Sequence, residues 1–207
     1  MSELSAKVTP TRKSGFETKR KIMDAAFRFM ETKGLMSMTT NHIARDAGVN
    51  VASLYRFFEN KEAIIVAIME EYFADIESRL EHYFLNGRET NPMWENSNAY
   101  LDESATRHYD NPSYRYNIML AIQTIPAMKE HSANHQRRCI DILTRSAVTR
   151  YSNSAEEMDV IFQYVFLTAV STLSHATNLP EPIKTEMHTL MKSTIKHVFQ
   201  TRLTERT

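Results

Sequence analysis

Apolar side chains recur every three or four residues along most of this chain, which is the spacing that puts them on one face of an α-helix. In the first clear run the apolar positions are Ile22, Ala25, Ala26, Phe29 and Met30. Gly34 ends that run, and a longer run that starts at Lys61 continues until Asn86 and Gly87 interrupt it. No alternation typical of a β-strand persists anywhere. The pattern therefore predicts an all-α chain of about nine helices.

Residues with capping side chains stand at several of the predicted helix starts. Thr39 or Thr40 precedes one short apolar run, and Asn50 precedes the next. Both residue types accept hydrogen bonds from the free N–H groups of a first helical turn. Ser154 and Glu157 have the spacing of a capping box, in which each side chain accepts a hydrogen bond from the other residue's backbone N–H. These positions predict where three of the helices begin.

The composition narrows the class of protein. The chain has 207 residues, of which 42% are hydrophobic and 24% charged, and this balance excludes wholesale disorder. Only four glycines are present, which argues against glycine-rich phosphate-binding loops, and the single cysteine, Cys139, forms no internal disulfide. The first residues lack the apolar segment of a secretory signal, and the longest aliphatic run, 63–69, is too short to span a bilayer. We therefore expect a cytoplasmic protein with no membrane partner and no cofactor.

The net charge is zero overall but is divided unequally along the chain. Lys and Arg total 25, and so do Asp and Glu, which by itself gives no indication of a nucleic-acid partner. Residues 1–62 nevertheless carry eleven basic and seven acidic side chains, a balance of +4, and the remaining residues carry −4. A basic segment of this kind is attracted to polyanions such as DNA. The alternative is a solvated terminal tail.

Residues 39–57, TTNHIARDAGVNVASLYRF, have the spacing of a helix-turn-helix. Counted from Thr40, the fifth residue is Ala44, whose small side chain lets two helices cross closely. The ninth is Gly48, which can adopt the left-handed conformation that the turn needs. The inward apolar positions are Ile43, Ala47, Val49 and Leu54. Two ordinary helices joined at a glycine are the alternative, but the joint pattern favours a unit that binds DNA through its second helix.

The same segment resembles a known protein family. Residues 17–70 are similar to the DNA-binding domain of the TetR/AcrR family of bacterial transcriptional regulators, over about a quarter of the chain. The matching landmarks are Ile22-Met23-Asp24-Ala25-Ala26, Gly34, Thr39-Thr40, Ile43-Ala44, Ala47-Gly48-Val49, Leu54-Tyr55, Phe58 and Lys61-Glu62. The resemblance implies an N-terminal three-helix DNA-binding domain and a C-terminal helical domain that binds an effector and dimerises. We accordingly expect a flexible basic arm (1–16), a helix-turn-helix domain (17–62) and an effector-binding and dimerisation domain (63–207).

The resemblance also implies which residues contact DNA. The second helix of the motif would lie in the major groove, where Arg56 is able to donate two hydrogen bonds to a guanine. Phosphate contacts, which hold the protein in register, are implied for Thr40, Tyr55 and Lys61. The full set of implied DNA contacts is Thr40, Asn41, Val51, Ala52, Ser53, Tyr55, Arg56 and Lys61.

Four other features of the motif affect this interpretation. Ala52 stands where the family frequently has Gly or Pro, and Phe57 stands where it frequently has His or Tyr. Leu54 and Phe58 take inward positions. We expect these two side chains to anchor the second helix in the core and not to contact DNA.

The C-terminal part of the chain is rich in methionine and aromatic side chains, a composition that by itself favours an ordinary helical core. The resemblance implies instead that some of these residues line an effector pocket between helices. The candidate pocket residues are Trp94, Tyr116, Met119, Gln123, Phe162 and Phe166. Their character predicts an apolar or amphipathic effector.

The last two predicted helices have the character of a dimer interface. Between residues 156 and 173 apolar side chains surround the helix, which therefore needs cover on every side, and the final helix carries one clean apolar stripe. The candidate interface residues are Val165, Met187, Leu190, Met191, Ile195 and Val198. The resemblance implies a four-helix interface between two copies of the chain, and the alternative is burial inside a monomer.

Other functions find less support in the sequence. His131, His135 and Cys139 are spaced by four residues on one helical face, but three ligands spread along roughly 12 Å of one helix cannot all reach one metal ion. A solvated or interfacial face is favoured, and a redox or metal role stays open. No motif of nucleophilic or zinc catalysis is present. We predict a ligand-responsive repressor that binds a palindromic operator as a dimer. A helical protein-interaction adaptor is the alternative, followed by an enzyme that uses the C-terminal pocket.

Overall fold

A computed structural model describes residues 13–86, 91–110 and 112–206 of the chain. Nine α-helices account for most of the described residues, and a short 3-10 helix, Leu35–Ser37, lies between the first two. The α-helices are α1 (Lys13–Lys33), α2 (Thr40–Ala47), α3 (Val51–Phe57), α4 (Lys61–Phe84), α5 (Met93–Asp110), α6 (Pro112–Thr124), α7 (Pro126–Ala147), α8 (Ala155–Ala176) and α9 (Glu181–Arg202). The strand-type pairing within these ranges is one isolated antiparallel bridge between Tyr151 and Glu205. The predicted all-α class is confirmed.

The described residues form two compact units. The first runs to residue 74 and also includes 113–133, and the second includes 75–112 and 134 onward, so that α4 and α7 contribute to both. The predicted boundary at residue 62 does not coincide with this division, because residues 63–69 of α4 are buried in the core of the first unit. The division of function at that boundary remains a prediction.

The predicted helix boundaries around the helix-turn-helix follow from local hydrogen bonds. Thr39 caps α2 by accepting a hydrogen bond from the His42 N–H at 3.2 Å. Asn50 caps α3 by accepting one from the Ala52 N–H at 2.7 Å. Gly48 ends α2 with a φ of 64°, in the left-handed region that favours glycine.

The core of the first unit is formed by α1 to α4 together with α6. Its largest fully buried side chains are Phe57, Phe58, Ile22, Met30, Met38, Ile43, Leu54, Ile64, Ile65 and Met69. Ile118 and Ala121 place α6 in the same core. Each large apolar side chain buried in this way contributes about 1.5–3 kcal/mol. The helix-turn-helix is therefore held by apolar packing to elements on both sides of the predicted domain boundary.

The second unit packs α5, α8 and α9 with parts of α4 and α7. The predicted capping box is confirmed, since the Glu157 N–H donates to the Ser154 hydroxyl at 3.2 Å and the Ser154 N–H donates to the Glu157 carboxylate at 2.9 Å. The segment after α9 pairs with the segment before α8, where the Ser152 N–H donates to the Thr204 carbonyl oxygen at 2.8 Å. These bonds hold the end of α9 beside the start of α8.

Helix α1 begins at Lys13 and therefore includes the end of the predicted flexible arm, residues 1–16. The Thr18 hydroxyl donates to the Ser14 carbonyl oxygen at 2.8 Å within the first turns, and no proline follows Pro10 until α1 has ended. Residues 1–12, which carry the rest of the predicted arm, lie outside the described residues. Within the described ranges, no helix combines the length and the apolar character that crossing a lipid bilayer requires.

Candidate nucleic-acid interface

The turn between α2 and α3 is fixed by backbone hydrogen bonds. The Gly48 N–H donates to the Arg45 carbonyl oxygen at 3.1 Å, and the Val49 N–H donates to that of Ala44 at 3.0 Å. Bonds of this kind at a left-handed glycine satisfy the last free carbonyl groups of a helix. Ala44 itself is buried, as predicted for a small residue where two helices approach closely. These short-range hydrogen bonds therefore set the direction in which α3 leaves the turn.

Three buried side chains orient α3 about its own axis. Leu54 and Phe58 are fully buried, which confirms their predicted role as core anchors, and Phe57 is buried beside them. The departure of Phe57 from the family pattern therefore adds an apolar core residue. The exposed residues of α3 are Ala52, Tyr55 and Arg56. The side of the helix that carries them is free to meet another molecule.

The predicted base-reading residues differ in their exposure. Arg56 is exposed, and its guanidinium carbon lies 5.1 Å from the centre of the Phe57 ring. Asn41 is exposed at the start of α2. Val51 and Ser53 are half-buried, and Val51 packs against the core. Only part of the Val51 side chain is therefore available for the predicted contact with a thymine methyl group.

The predicted phosphate contacts are tied into the fold by polar contacts. Thr40 Oγ1 and Tyr55 OH lie 3.0 Å apart, a hydrogen-bond distance that links the start of α2 to α3. Lys61 Nζ donates to the Met38 carbonyl oxygen at 3.3 Å, which links the start of α4 to the residue before the α2 cap. An ammonium group has three N–H donors, so this bond uses one of them. The three side chains are held in defined positions, whereas their contact with phosphate stays a prediction.

Another basic residue, Lys19, lies near this surface. The sequence pattern predicts no particular role for it beyond its positive charge, but its Nζ lies 5.9 Å from the centre of the Phe58 ring. This contact brings α1 beside the end of α3. The helical repeat could have indicated this position. Lys19 stands three residues before Ile22 and four before Met23, so it lies on the same side of α1 as these two buried residues.

The candidate pocket residues are divided between the two units. Tyr116, Met119 and Gln123 belong to α6 in the first unit, and Trp94, Phe162 and Phe166 belong to the second. The Phe162 ring is fully buried and packs against Phe199 with 6.3 Å between ring centres, so it belongs to the helical core. Lys196 Nζ lies 4.0 Å from the centre of the Trp94 ring. Neither unit holds all six residues, and their role in an effector pocket stays a prediction.

The histidines of α7 face acidic residues of α4. His131 Nδ1 lies 3.2 Å from Glu70 in the first unit, and His135 Nδ1 lies 2.7 Å from Glu77 in the second. Arg138 Nε donates to the other carboxylate oxygen of Glu77 at 2.8 Å. Burial raises the pKa of the Glu77 carboxyl, but hydrogen bonds from Arg138 and His135 outweigh burial and hold this pKa below its ordinary value.

The prediction was a solvated or interfacial face for the three residues spaced along α7, and the structure corrects the solvated alternative for two of them. His135 and Cys139 are buried, and the Cys139 sulfur lies 3.6 Å from His135 Nε2. Burial raises the pKa of the Cys139 thiol far above its ordinary value, and the nearby Glu77 charge adds to the effect. The thiol is therefore protonated at neutral pH and a poor nucleophile. In the part of the chain that the structure describes, no three His, Cys, Asp or Glu side chains are placed to hold a metal ion.

Three of the candidate interface residues lie in the core of the second unit itself. Val165, Met191 and Ile195 are only 6%, 2% and 1% exposed, because α8 and α9 pack against each other and against α5. A side chain already buried in its own chain offers no surface to a partner, which corrects the assignment of these three. The other candidates are half-buried or exposed: Met187, Val198 and Leu190.

Known proteins share this sequence pattern and this fold. Residues 22–68 match the family model described as bacterial regulatory proteins, tetR family. YvkB, an uncharacterized HTH-type transcriptional regulator of Bacillus subtilis, is 26% identical over 160 residues, which cover 72% of this chain and 79% of YvkB. A TetR-family transcriptional regulator of Haemophilus influenzae has a similar structure, with a TM-score of 0.65 and 19% identity over 94% of this chain and 100% of that one. SmeT of Stenotrophomonas maltophilia, in complex with triclosan, has a TM-score of 0.69 and 17% identity over 90% of this chain and 91% of its own.

Proposed function

We propose that this chain is a transcriptional regulator of the TetR family that binds DNA through α3 and responds to a small effector, because residues 22–68 match the model of that family of bacterial regulatory proteins. The observation that carries the proposal is the exposed side of α3. Tyr55 and Arg56 stand on that side, while Leu54 and Phe58 hold the opposite side in the core. A short helix anchored in this way is suited to enter a major groove with its exposed side chains toward the bases.

Basic and hydroxyl side chains around α3 support the same function. Lys61 begins α4, Lys19 lies beside Phe58, and the Thr40 and Tyr55 hydroxyls lie together at the start of α2. In our proposal these groups contact phosphates on either side of the groove and hold Arg56 over a base pair. The affinity for DNA then falls with salt, since each neutralised phosphate releases counterions.

We further propose that two copies of the chain associate through α8 and α9. Val160, Tyr164 and Leu167 are spaced by four and three residues on one face of α8 and are 67%, 49% and 55% exposed. On α9, Ile183 and Leu190 are seven residues apart and also exposed. Apolar faces of this kind are typical of surfaces that a partner covers. A two-fold dimer would present two α3 helices to inverted half-sites about one helical turn apart.

Regulation by an effector is the third part of the proposal. SmeT, which has a similar fold, is named as the repressor of a multidrug efflux pump and has been determined with triclosan bound. By analogy we propose repression by this chain and release by an apolar or amphipathic effector. Helix α4 is the element suited to transmit the signal, because it starts at Lys61 and extends to Phe84 in the second unit. An effector that prefers a different arrangement of α4 lowers DNA affinity by its difference in binding energy.

Selection of bound duplexes from a random DNA pool tests the function directly. We expect enrichment of an inverted repeat, weaker binding of that repeat as salt increases, and two chains per duplex in sedimentation. Leu167→Glu should weaken the dimer, whereas Lys129→Glu, on the exposed side of α7 in the first unit, should leave the dimer intact. Failure of the wild type to enrich any sequence would contradict the proposed function and favour a protein-interaction adaptor.

A further inference from the structure

Asn117 of α6 is a buried amide with unusually complete hydrogen bonding. Its side chain is only 3% exposed. Oδ1 accepts a hydrogen bond from the Leu35 N–H at 2.8 Å. Nδ2 donates to the carbonyl oxygens of Met30 at 2.8 Å and Ser113 at 2.7 Å. A primary amide has two N–H donors and one carbonyl oxygen, and all three are in use.

Among the described residues of the first unit, Asn117 is also the single buried polar side chain. Among the described residues, the buried polar or charged side chains are Asn96, Ser97, Ser104, Asn117, His135, Ser146 and Thr177. All of them except Asn117 belong to the second unit. Apolar side chains tolerate small shifts of one helix along another, whereas a buried amide is satisfied in one position only. Asn117 therefore defines where α6 sits against the end of α1.

The partners of Asn117 lie where the chain leaves α1 toward the DNA-binding helices. The Met30 carbonyl oxygen also accepts from the Gly34 N–H at 3.1 Å, and Gly34 turns the chain with a φ of 80°. Leu35 opens the 3-10 helix that leads to Met38, whose carbonyl oxygen accepts from Lys61. Thr39, the residue after Met38, is the cap of α2. A path of bonded groups thus runs from α6 to the start of α2 and to a predicted phosphate contact.

We propose that Asn117 is a positioning residue for DNA binding, through which α6 fixes the turn after α1 and so the placement of α2 and Lys61. The inference rests on the proposed function and deepens it, since α6 lies 50 residues and more beyond the helix-turn-helix in the sequence. It assigns control of DNA affinity to a helix that also carries Tyr116 and Gln123, both exposed. A ligand that moved α6 would act first on the Asn117 bonds.

The test compares Asn117→Ala with Asn96→Ala, which removes an equally buried amide, 2% exposed, from the second unit. Both variants are examined at a temperature where circular dichroism shows them fully folded. For Asn117→Ala we expect faster hydrogen exchange in peptides covering residues 30–41. We also expect about tenfold weaker binding to the selected duplex, with a shallower dependence on salt because Lys61 is displaced. Asn96→Ala should change neither quantity.

Two outcomes would overturn the inference. Unchanged exchange in residues 30–41 would show that Asn117 does not hold the turn. Faster exchange with unchanged affinity and salt dependence would show that the bonds only stabilise the fold, because a loss of stability alone does not alter the salt dependence of a fully folded protein. If the wild type selects no duplex, the proposed function is wrong. The hydrogen-exchange measurement then still shows whether Asn117 holds the turn after α1.

Discussion

The cores of the two units differ in how they accommodate polar groups. Among the described residues of the first unit a single polar side chain is buried, Asn117, and it bonds to backbone groups 82 and 87 residues away in the sequence. The second unit buries six among its described residues, and their bonds are of both kinds: His135 Nδ1 lies 2.7 Å from Glu77 on another helix, whereas others have partners close by in the sequence. The Thr177 hydroxyl, for example, donates to the Leu173 carbonyl oxygen at 2.7 Å, one turn earlier along the chain.

This difference matches the roles we propose for the two units. A core that is apolar except for one long-range amide gives the DNA-binding helices one arrangement, which base recognition requires. In the second unit the polar bonds are of two kinds: Thr177 keeps its partner when helices shift, because both groups belong to one turn, whereas the contact between His135 and Glu77 ties α7 to α4. Bonds of the first kind suit a unit that changes its packing when an effector binds. Substitutions in either unit can test this comparison.

Removal of a large core side chain should have the greatest effect in both units. Phe58 and Phe162 are equally buried, both at 0% exposure, one in each core. Each Phe→Ala substitution should lower the free energy of unfolding by about 3–5 kcal/mol, measured by urea denaturation. Phe58→Ala should also abolish DNA binding, because α3 loses an anchor. Phe16→Ala is the matched control, since Phe16 is 53% exposed.

Hydrogen exchange then shows whether the units respond separately. Phe58→Ala should increase exchange in α1 to α3, and Phe162→Ala should increase it in α5, α8 and α9. An effect of either variant no larger than that of Phe16→Ala would show that the side chain is not a core anchor.

The half-buried carboxylate of Glu77 in the second unit should make stability depend on pH. Glu77→Gln removes the charge that accepts hydrogen bonds from His135 and Arg138 and should lower the free energy of unfolding at pH 7 by about 1–3 kcal/mol. These bonds hold the pKa of Glu77 below the ordinary value of 4.5. The stabilisation is therefore present above pH 4.5 and is lost as the pH falls through the lowered pKa.

Urea unfolding at a series of pH values between neutral and acid provides the measurement. The wild type should lose stability below pH 4.5 more steeply than Glu77→Gln. Glu186→Gln, an exposed carboxylate on α9, is the control and should follow the wild type. Parallel curves for the wild type and Glu77→Gln would contradict the assigned role of this cluster.

Features that depend on local chemistry could be predicted from the sequence. The caps at Thr39, Asn50 and Ser154 and the turn at Gly48 each involve hydrogen bonds or dihedral angles within four residues. The inward positions of Leu54 and Phe58 follow from the helical repeat in the same way. This is why the helix-turn-helix, with all of its landmarks inside one short segment, was the most predictable part of the chain.

Features that depend on distant parts of the chain could not be predicted. Nothing beside Asn117 in the sequence marks it as the partner of Leu35, because the two are 82 residues apart. On α8 the apolar residues surround the helix, so periodicity does not distinguish Val165, which faces its own core, from Leu167, which faces outward. Which of the two side chains is buried depends on the side of α8 that neighbouring helices cover, and tertiary packing sets that side.

The exposed residues of the first unit should affect recognition more than stability. Arg56→Ala should weaken binding to the selected duplex by about 1–3 kcal/mol and relax the preference at one base position. Its free energy of unfolding should stay near that of the wild type, because the side chain is exposed. Arg28→Ala, an exposed arginine on α1, is the control for loss of charge. Equal weakening on every duplex would make Arg56 a phosphate contact.

Loss of a phosphate contact should change the salt dependence with a small change in specificity. For Lys61→Ala we expect the slope of log affinity against log salt to decrease in magnitude by about one, because one fewer counterion is released. Binding titrations at several salt concentrations measure this slope. Lys129→Ala removes an exposed positive charge from α7 of the same unit and should leave the slope unchanged. A slope that did not change in Lys61→Ala would remove this residue from the interface.

The smallest effect is expected at the hydroxyl pair on the surface of the first unit. Thr40 Oγ1 and Tyr55 OH are 3.0 Å apart, and Tyr55 is 44% exposed, so water competes for both groups. Tyr55→Phe should lower the free energy of unfolding by only about 0.5 kcal/mol. A double-mutant cycle with Thr40→Val isolates the coupling between the two hydroxyls. A coupling of zero would mean that water replaces the contact in solution, which would leave the Thr39 cap and the bond from Lys61 to Met38 to hold the start of α2.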